Sequence, residues 1–376
     1  MLTDSQRLSN GLQRQTWLQR VLHLDSVLLV GLLLIAGIGL AVLYSAFGQD
    51  LNAVRKQVVR LIVAFAAMLV VAQLPPYQLR RWSPWIYAGG VALLAAVLVL
   101  GDAGKGAQRW LDLGLVRFQP SELMKLALPM MAAWYLDRTQ MPPRWPQVLT
   151  VLALVAVPTA LVVVQPDLGT AILIATAGLF VLYLAGLRWR LIIGTLIAAV
   201  PLALLMWHFG MHNYQKQRVL IFLDPTRDPL GAGYHTIQSA IALGSGGLLG
   251  KGWLHGTQSH LEFLPERHTD FIFAVFGEEF GLLGAVVLIT LYFAVILRGL
   301  YIALNAQDTY SRLLAGSISL TFFVYVFVNM GMVAGLLPVV GVPLPLMSYG
   351  GTSMVTLLTG FGILMSIQTH RKLWPS

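Results

Sequence analysis

The sequence predicts an all-α polytopic membrane protein, and three observations support this. Of the 376 residues, 57% are hydrophobic and only 11% are charged, whereas a soluble domain carries roughly 25% charged residues. Apolar runs of about 20 residues, the length that spans a bilayer as a helix, recur along the chain. Strict apolar–polar alternation is absent, which disfavours a lipid-facing β-barrel. The same composition excludes a disordered chain, and the absence of cysteine excludes a disulfide scaffold.

Ten apolar stretches predict about ten transmembrane helices in a single integral membrane domain, 1–376. The stretches are residues 26–47, 57–74, 84–101, 122–137, 147–164, 168–187, 191–210, 271–297, 311–335 and 345–368. Residues 331–347 could form a loop or a re-entrant piece. The seventh and eighth stretches are separated by a long connection, about 211–270. Loops of this length are usually functional.

Basic residues predict the orientation of the chain. Arginine and lysine precede the first stretch and follow every even-numbered one, as the positive-inside rule asks of cytoplasmic segments. We therefore expect both termini to be cytoplasmic and the 211–270 loop to be extracytoplasmic. This bias accounts for about half of the 25 basic residues. The net charge of +9 therefore does not call for a nucleic-acid partner.

Asp270 stands at the boundary between the long loop and the eighth apolar stretch. Aspartate is a preferred helix N-cap, so a capping role is one interpretation. The other interpretation is a carboxylate at the membrane edge, where partial desolvation would suit it to accept a proton. The two roles can coexist.

Glu122 and Lys125 lie at the start of the fourth stretch, three residues apart, and would share a helix face. One interpretation is a first-turn glutamate favoured by the helix dipole, with lysine as its local partner. However, both side chains would lie close to the hydrocarbon region of the membrane. Burying ionisable groups there is costly, and those that occur are usually functional. Glu278 and Glu279 fall inside the eighth stretch. At least one of them should point inward, either lining the same cavity as Asp270 or making a buried structural hydrogen bond.

The remaining basic residues lie at the predicted outer side, against the positive-inside bias. An anionic ligand there would explain them, because arginine offers paired donors to phosphate oxygens. Pairing with outer acids is the alternative. These residues are Arg55, Lys56, Arg60, Lys105, Arg109, Arg117, Lys216, Arg218, Arg227, Lys251 and Arg267.

Two apparent ligand motifs in the long loop are not supported. The glycine-rich run Gly244–Gly252 lacks the glycine and the Ser or Thr of a phosphate-binding loop, so we expect a flexible loop. The histidines His255, His260 and His268 do not have the spacing of a metal motif, so no metal ligands are assigned. Further along, prolines and glycines at 338–351 predict either a broken helix entrance lining a cavity or an ordinary loop.

Six ordered segments together resemble the SEDS family, over nearly the whole chain. The resemblance is closer to the branch that acts in cell elongation than to the branch that acts in division. The segments are Lys105–Asp112, Arg117–Glu122, Gln165–Thr170, Asp228–Tyr234, Phe263–Phe271 and Gly341–Gly351.

This resemblance implies a peptidoglycan glycosyltransferase that polymerises lipid II at the outer face of the bacterial cytoplasmic membrane. Its implied partners are lipid II and the nascent glycan, a class B penicillin-binding protein that cross-links the strands, and other proteins of the elongation complex. The family's essential aspartate falls on Asp270, and its Glu and Lys of the fourth helix fall on Glu122 and Lys125. A lipid II translocase and a non-catalytic scaffold are the alternative functions.

The expected reaction releases a pyrophosphate, which needs cations rather than a protein acid. The candidates are Arg109, Arg117, Arg218, Arg267 and Lys125. No cofactor is assigned, and a divalent cation (Mg²⁺ or Mn²⁺) accompanying the pyrophosphate is left open.

Overall fold

The computed structural model describes residues 23–100, 102–104, 107–112, 117–187, 233–257 and 266–370, with isolated positions between 188 and 232. Ten helices lie within these residues. They are α1 (Ser26–Ala46), α2 (Leu51–Ala72), α3 (Pro76–Leu100), α4 (Pro120–Asp137), α5 (Trp145–Val164), α6 (Leu168–Leu184), α7 (Tyr234–Ser245), α8 (Ile272–Leu304), α9 (Thr309–Val333) and α10 (Thr352–Thr369).

The fold is that of a polytopic membrane protein. Six helices, namely α1, α3, α5, α8, α9 and α10, are long and apolar enough to cross a bilayer. Helix α6 is apolar but only 17 residues long. Helices α2 and α4, which each carry three charged residues, are not among the six. All of these helices except α7 correspond to predicted stretches, and the seventh predicted stretch, 191–210, lies largely outside the described residues.

The all-α prediction is wrong for one short segment. Between α3 and α4 the chain forms three strands, β1 (Asp102–Gly104), β2 (Ala107–Asp112) and β3 (Arg117–Phe118), which pair antiparallel in the order β1-β2-β3. Strands of two to six residues leave no long apolar run, so a search for bilayer-length stretches does not detect them. The sheet lies beside the ends of α3 and α4.

Three helices begin six to eight residues away from their predicted starts, and one of them, α3, begins at Pro76 rather than at residue 84. Helix α2 begins at Leu51 rather than at residue 57, because Arg55, Lys56 and Arg60 interrupt the apolar run but not the helix. Helix α10 begins at Thr352 rather than at residue 345. The preceding residues are non-helical yet include buried side chains such as Leu344 and Met347. This agrees with a broken helix entrance rather than an ordinary exposed loop.

Helix α8 is broken at Gly281, whose backbone (φ 63°, ψ −164°) is not helical. The run Gly244–Gly252 packs against this break and is not the flexible loop expected from its glycines. An added Cβ at Gly246 or Gly250 would lie 2.1 Å from a carbonyl oxygen of α8. Glycine is required here because the two backbones touch.

Backbone hydrogen bonds join the glycine run to the broken helix. Lys251 N–H donates to the carbonyl of Glu278 and Gly252 N–H to that of Glu279, both at 3.0 Å. In return, Leu282 N–H donates to Gly247 at 2.9 Å and Leu283 N–H to Leu248 at 3.1 Å. An unbroken helix would have paired residues 282 and 283 with 278 and 279. The glycine run therefore replaces the missing helical turn.

The helices pack with two distinct ends. The Asp270 end is defined as the end of the bundle where α8 begins, and the far end is the opposite one. Interhelical ion pairs hold the far end, with Arg298 on Asp25 at 2.6 Å and Arg80 on Asp137 at 2.6 Å. The rings of His23 and His370 stack there at 4.1 Å. The first and last described residues therefore lie at the same end of the bundle.

Candidate active site

Asp270 lies in a turn, residues 266–271, that leads directly into α8. The N-cap of α8 is Phe271, which makes no side-chain capping bond. The capping interpretation of Asp270 is therefore wrong, because the helix starts one residue later than the sequence suggested. Asp270 is half-buried, so its carboxyl group lies at the boundary between protein interior and surroundings.

Asn329 of α9 fixes the backbone of Asp270. Its side-chain Nδ2 donates to the carbonyl of Asp270 at 2.9 Å and to the carbonyl of Val342 at 2.7 Å. A methyl group added at Gly341, where φ is +75°, would lie 3.5 Å from Oδ2 of Asp270. The 338–351 segment thus passes close to the carboxylate, and one amide on α9 holds both pieces in register.

The same segment braces the residues before Asp270. Ser348 Oγ donates to the carbonyl of Thr269 at 2.6 Å and accepts from Leu344 N–H at 2.7 Å. Tyr349 N–H donates to the carbonyl of His268 at 2.8 Å. Asp270 is therefore presented by a turn that is bonded on both sides, which limits its movement.

Aromatic rings surround His268 in this turn. Its ring stacks on Phe47 at 4.9 Å and meets Tyr349 edge-on at 6.2 Å. Burial lowers the pKa of His268, the charge of Arg267 lowers it further, and Glu266 opposes both. The imidazole is thereby favoured in its neutral form two residues from Asp270.

Glu122 and Lys125 form a buried ion pair on α4. Lys125 Nζ lies 2.7 Å from Glu122 Oε1, and each side chain is only 6% exposed. The Nζ also lies 5.0 Å from the ring centre of Tyr325 on α9. Tyr325 is one helical turn from Asn329, which holds Asp270. The pair is therefore connected to Asp270 indirectly, through one face of α9.

Arg109 is committed to the chain itself. Its guanidinium donates to the carbonyls of Gln165 (3.3 Å) and Pro166, and lies 3.8 Å from Asp167. The strand β2 is thereby tied to the start of α6, where Asp167 caps Thr170 N–H at 3.2 Å. Two of its donors are used, so its assignment as a pyrophosphate ligand is weakened.

The other arginine candidates are less fully described. Arg117 is described by its backbone in β3 alone, and Arg218 lies outside the described residues. Arg267 is half-buried in the turn that presents Asp270. Of the predicted cations, Arg267 and Lys125 are the ones that the described structure places beside the Asp270 turn and its support.

Glu278 is bonded to side chains of the 251–257 segment. It is fully buried, and its Oε1 accepts from Lys251 Nζ at 2.7 Å and from Thr257 Oγ1 at 3.1 Å. Glu279 accepts from Ser45 of α1. Both carboxylates therefore fasten the glycine run and α1 to the broken part of α8, which favours the structural interpretation of the pair.

The described residues include no group of three or more His, Cys, Asp and Glu side chains placed to hold a metal ion. Sequence reasoning also missed Asn329 and Ser348. An asparagine inside the apolar run of α9 was an available signal, because polar side chains at membrane depth usually have a specific partner. Ser348 gave no such signal, since serines are common in loops.

Comparison with known proteins identifies the family. Residues 18–373 match the family model FTSW_RODA_SPOVE, described as "Cell cycle protein". The chain belongs to this family, the SEDS proteins. It is 53% identical to the peptidoglycan glycosyltransferase MrdB of Escherichia coli (strain K12), with 97% of this chain and 99% of MrdB covered. It is 36% identical to a probable peptidoglycan glycosyltransferase FtsW of Geobacter metallireducens, with 95% and 98% covered.

Solved structures agree with this membership. A chain in a structure described as "Structural coordination of polymerization and crosslinking by a peptidoglycan synthase complex" matches with a TM-score of 0.82 and 31% identity, covering 93% of this chain and 99% of that one. The Rod shape determining protein RodA of Thermus thermophilus matches with a TM-score of 0.70 and 28% identity, covering 93% and 98%. The higher identity to MrdB than to FtsW favours the elongation branch, as the sequence segments indicated.

Proposed function

We infer that this chain is a peptidoglycan glycosyltransferase that polymerises lipid II into glycan strands during cell elongation. The observation that carries the inference is the position of Asp270, half-buried and held by Asn329, in a chain 53% identical to a peptidoglycan glycosyltransferase. A carboxylate held at the membrane edge is suited to chemistry on a substrate whose tail stays in the bilayer.

In the proposed reaction, Asp270 accepts the proton of the 4-hydroxyl of the N-acetylglucosamine on an incoming lipid II. That oxygen forms a bond to the anomeric carbon of the terminal N-acetylmuramic acid on the growing chain. The bond from this carbon to the phosphate oxygen breaks, and undecaprenyl pyrophosphate leaves with the electron pair. Attack from the face opposite the leaving group inverts the anomeric centre.

Glu122 and Lys125 are proposed as positioning residues for Asp270. Their ion pair reaches α9 through Tyr325, and α9 holds Asp270 through Asn329. Arg267, Arg117 and Arg218 are the proposed cations for the leaving pyrophosphate, whose charge grows in the transition state. Arg109 is the fourth proposed cation, and two of its five N–H donors already bind backbone carbonyls.

A divalent cation would arrive with the pyrophosphate, whose oxygens are the hard ligands that Mg²⁺ and Mn²⁺ prefer. The reaction above routes no step through a metal. Polymerisation with and without a chelator measures the requirement.

We also propose the membrane arrangement and the partners. Ten spans, both termini in the cytoplasm and an extracytoplasmic 211–270 loop would place Asp270 at the outer face of the bacterial inner membrane. The stacking of His23 on His370 supports termini on a common side. A class B penicillin-binding protein and other elongation-complex proteins are the proposed protein partners, and the match to a peptidoglycan synthase complex supports the former.

A lipid II translocase would need polar groups along a path between the two ends. In the described part of the chain, Glu122–Lys125 lies beside the Asp270 site, Lys251–Glu278 lies about two turns into α8, and Asp25–Arg298 lies at the far end. These pairs form separate clusters rather than a row of polar groups between the two ends, which favours chemistry at one face. Reconstitution in vesicles separates the activities, because polymer without lipid flipping supports the transferase and flipping without polymer supports the translocase.

The test of the proposed function is Asp270→Asn in the purified full chain with labelled lipid II. We expect the polymer to fall below detection, because the amide is nearly isosteric but cannot take the proton. The matched control is Asp224→Asn, an exposed acid of the long loop that pairs with Arg227, and it should keep wild-type yield. Normal polymer from Asp270→Asn would remove Asp270 as the base, and no polymer from the wild type alone would favour the scaffold.

A further inference from the structure

Helix α2 carries a cluster of cations that the active site described above does not use. Arg55 and Lys56 are exposed and Arg60 is half-buried, all within the first ten residues of the helix. Ion pairs in the described residues include none of the three. Asp50, the acid that lies nearest in sequence, accepts a hydrogen bond from Asn52 N–H at 2.8 Å as the helix cap. Three positive charges therefore stand together without a described counter-charge.

These cations line an open surface hollow of about 660 Å³, and its lining residues, Asn52, Arg55, Lys56, Val59 and Arg60, all lie on one face of α2. The polar part of the lining consists of cations and one amide. An arrangement of this kind recognises phosphate oxygens, since guanidinium groups donate to them in pairs.

The hollow is connected to the Asp270 turn by aromatic contacts. The guanidinium carbon of Arg60 lies 4.2 Å from the ring centre of Tyr349. That ring meets His268 at 6.2 Å, and His268 precedes Asp270 by two residues. An anion bound on α2 would therefore be next to the active site, but separated from Asp270 by two side-chain rings.

An apolar groove lies between α1 and α2 toward the far end. Its volume is about 470 Å³, and the lining includes Leu33, Leu40, Ile62 and Phe65. Ile62 follows Arg55 by seven residues, two helical turns, so both occupy the same side of α2. Along this side of α2, the cationic hollow at the start of the helix is therefore followed by an apolar groove. This order matches a lipid that has an anionic head group and a long apolar tail.

We propose that the cationic face of α2 (Asn52, Arg55, Lys56, Arg60) binds the pyrophosphate of the acceptor lipid II, with its polyprenyl tail entering the α1–α2 groove. The proposal rests on the proposed function. In lipid II, the pyrophosphate is attached to the sugar opposite the attacking 4-hydroxyl, so the acceptor pyrophosphate stays a disaccharide away from the base. The donor pyrophosphate is attached to the reacting carbon itself and must lie closer to Asp270.

The test uses Arg55→Gln/Lys56→Gln in the full chain, because both side chains are exposed and their loss leaves the core intact. In an Asp270→Asn background, which prevents turnover, binding of fluorescent lipid II in nanodiscs is measured. We expect the affinity to fall about tenfold, since two charge-assisted contacts are removed. Arg227→Gln, another exposed cation outside the hollow, is the matched control and should bind as the parent does.

A second arm uses active protein, a preformed lipid-linked glycan as donor and lipid II as acceptor. The double variant should raise KM for lipid II, with kcat and KM for the donor glycan close to wild type. Unchanged lipid II affinity, or a raised KM for the donor alone, would overturn the proposal. Equal competition by phosphatidylglycerol and undecaprenyl pyrophosphate would overturn it too, by showing a generic anionic-lipid surface. If wild type forms no polymer, the proposed function fails while the binding arm still decides this site.

Discussion

Two buried ion pairs, one beside the active site and one at the far end, differ in how fully their atoms are bonded. At the far end, Asp25 accepts from Leu28 N–H at 3.0 Å and from Arg298 at 3.2 and 2.6 Å. Beside the active site, Glu122 Oε1 binds Lys125, but Glu122 Oε2 is buried without a hydrogen-bond partner in the described part of the chain. Buried polar atoms are usually satisfied, so an exception asks for an explanation.

The two pairs also differ in the elements that they join. Asp25–Arg298 joins α1 to α8, and Arg298 is still 22% exposed, so solvent shares the cost of the charges. Glu122–Lys125 lies within one helix, where it ties no two elements together directly. Burying these two charges costs free energy, and the pair does not offset that cost by joining two helices. Lys125 contacts Tyr325 of α9, the helix that holds Asp270, so loss of the pair should disturb the position of α9.

Of the variants that test this comparison, the one that removes the pair beside the active site should have the largest effect. Glu122→Gln/Lys125→Met deletes both charges at similar volume, so the apparent Tm should change by only a few degrees. Polymerisation should fall about a hundredfold, because small misplacements of a catalytic group cost that much. Lipid II polymer yield and the Tm of the same preparation are measured together.

The matched control for that variant is Asp25→Asn/Arg298→Met, which removes the far-end pair. It should lower the apparent Tm while each folded molecule keeps its polymerisation rate. If both double variants lose activity equally, the distinction between the two pairs is wrong.

A smaller effect is expected from Asp25→Asn alone. Asparagine still caps α1, so the cap is retained. The charge-assisted bonds to Arg298 are lost, which should cost about 1–3 kcal/mol of stability. This cost is smaller than that of breaking a fully buried pair, because solvent reaches Arg298. Thermal unfolding in detergent should show a Tm lower by a few degrees. An unchanged Tm would mean that the far-end pair does not stabilise the bundle.

The smallest effect concerns pH. An unfolded histidine titrates near pH 6.5, and burial lowers the pKa of His268 below this value in the fold. The contribution of the neutral His268 ring to the free energy of unfolding is therefore fully present above about pH 6.5. It is lost as the pH falls below this value. Replacing His268 by Phe keeps a ring against Phe47 and removes the titration, so its Tm should fall less than wild type between pH 7.5 and 5.5. Equal falls would place the pH response elsewhere.

The helices were predictable from the sequence because bilayer length requires long apolar runs. Their ends were less predictable where charges share a helix with apolar residues, as at Arg55 and Lys56 of α2. The short sheet, helix α7 and the break at Gly281 depend on contacts between distant segments. The local sequence preferences of a segment do not predict such contacts. A run of glycines therefore predicts a flexible loop, unless the backbone segment that packs against it is known.

For the site, the sequence identified residue types but not their bonding. Asp270, Glu122 and Lys125 stood out because ionisable groups at membrane depth are rare. The sequence did not show that Arg109 is bonded to the carbonyls of Gln165 and Pro166, which is a matter of tertiary geometry. The role of Asn329 likewise could not be predicted, because its side chain binds two carbonyls that are far apart in the chain.

The exchange of hydrogen bonds at Gly281 has a consequence for how the chain folds. Leu282 and Leu283 N–H groups reach the carbonyls of Gly247 and Leu248, and in a bilayer each would cost several kcal/mol without them. The upstream segment and the helix must therefore assemble as one cooperative unit. Helix α8 cannot reach its native shape as an independently inserted span, so the residues that precede it during synthesis act as its internal template.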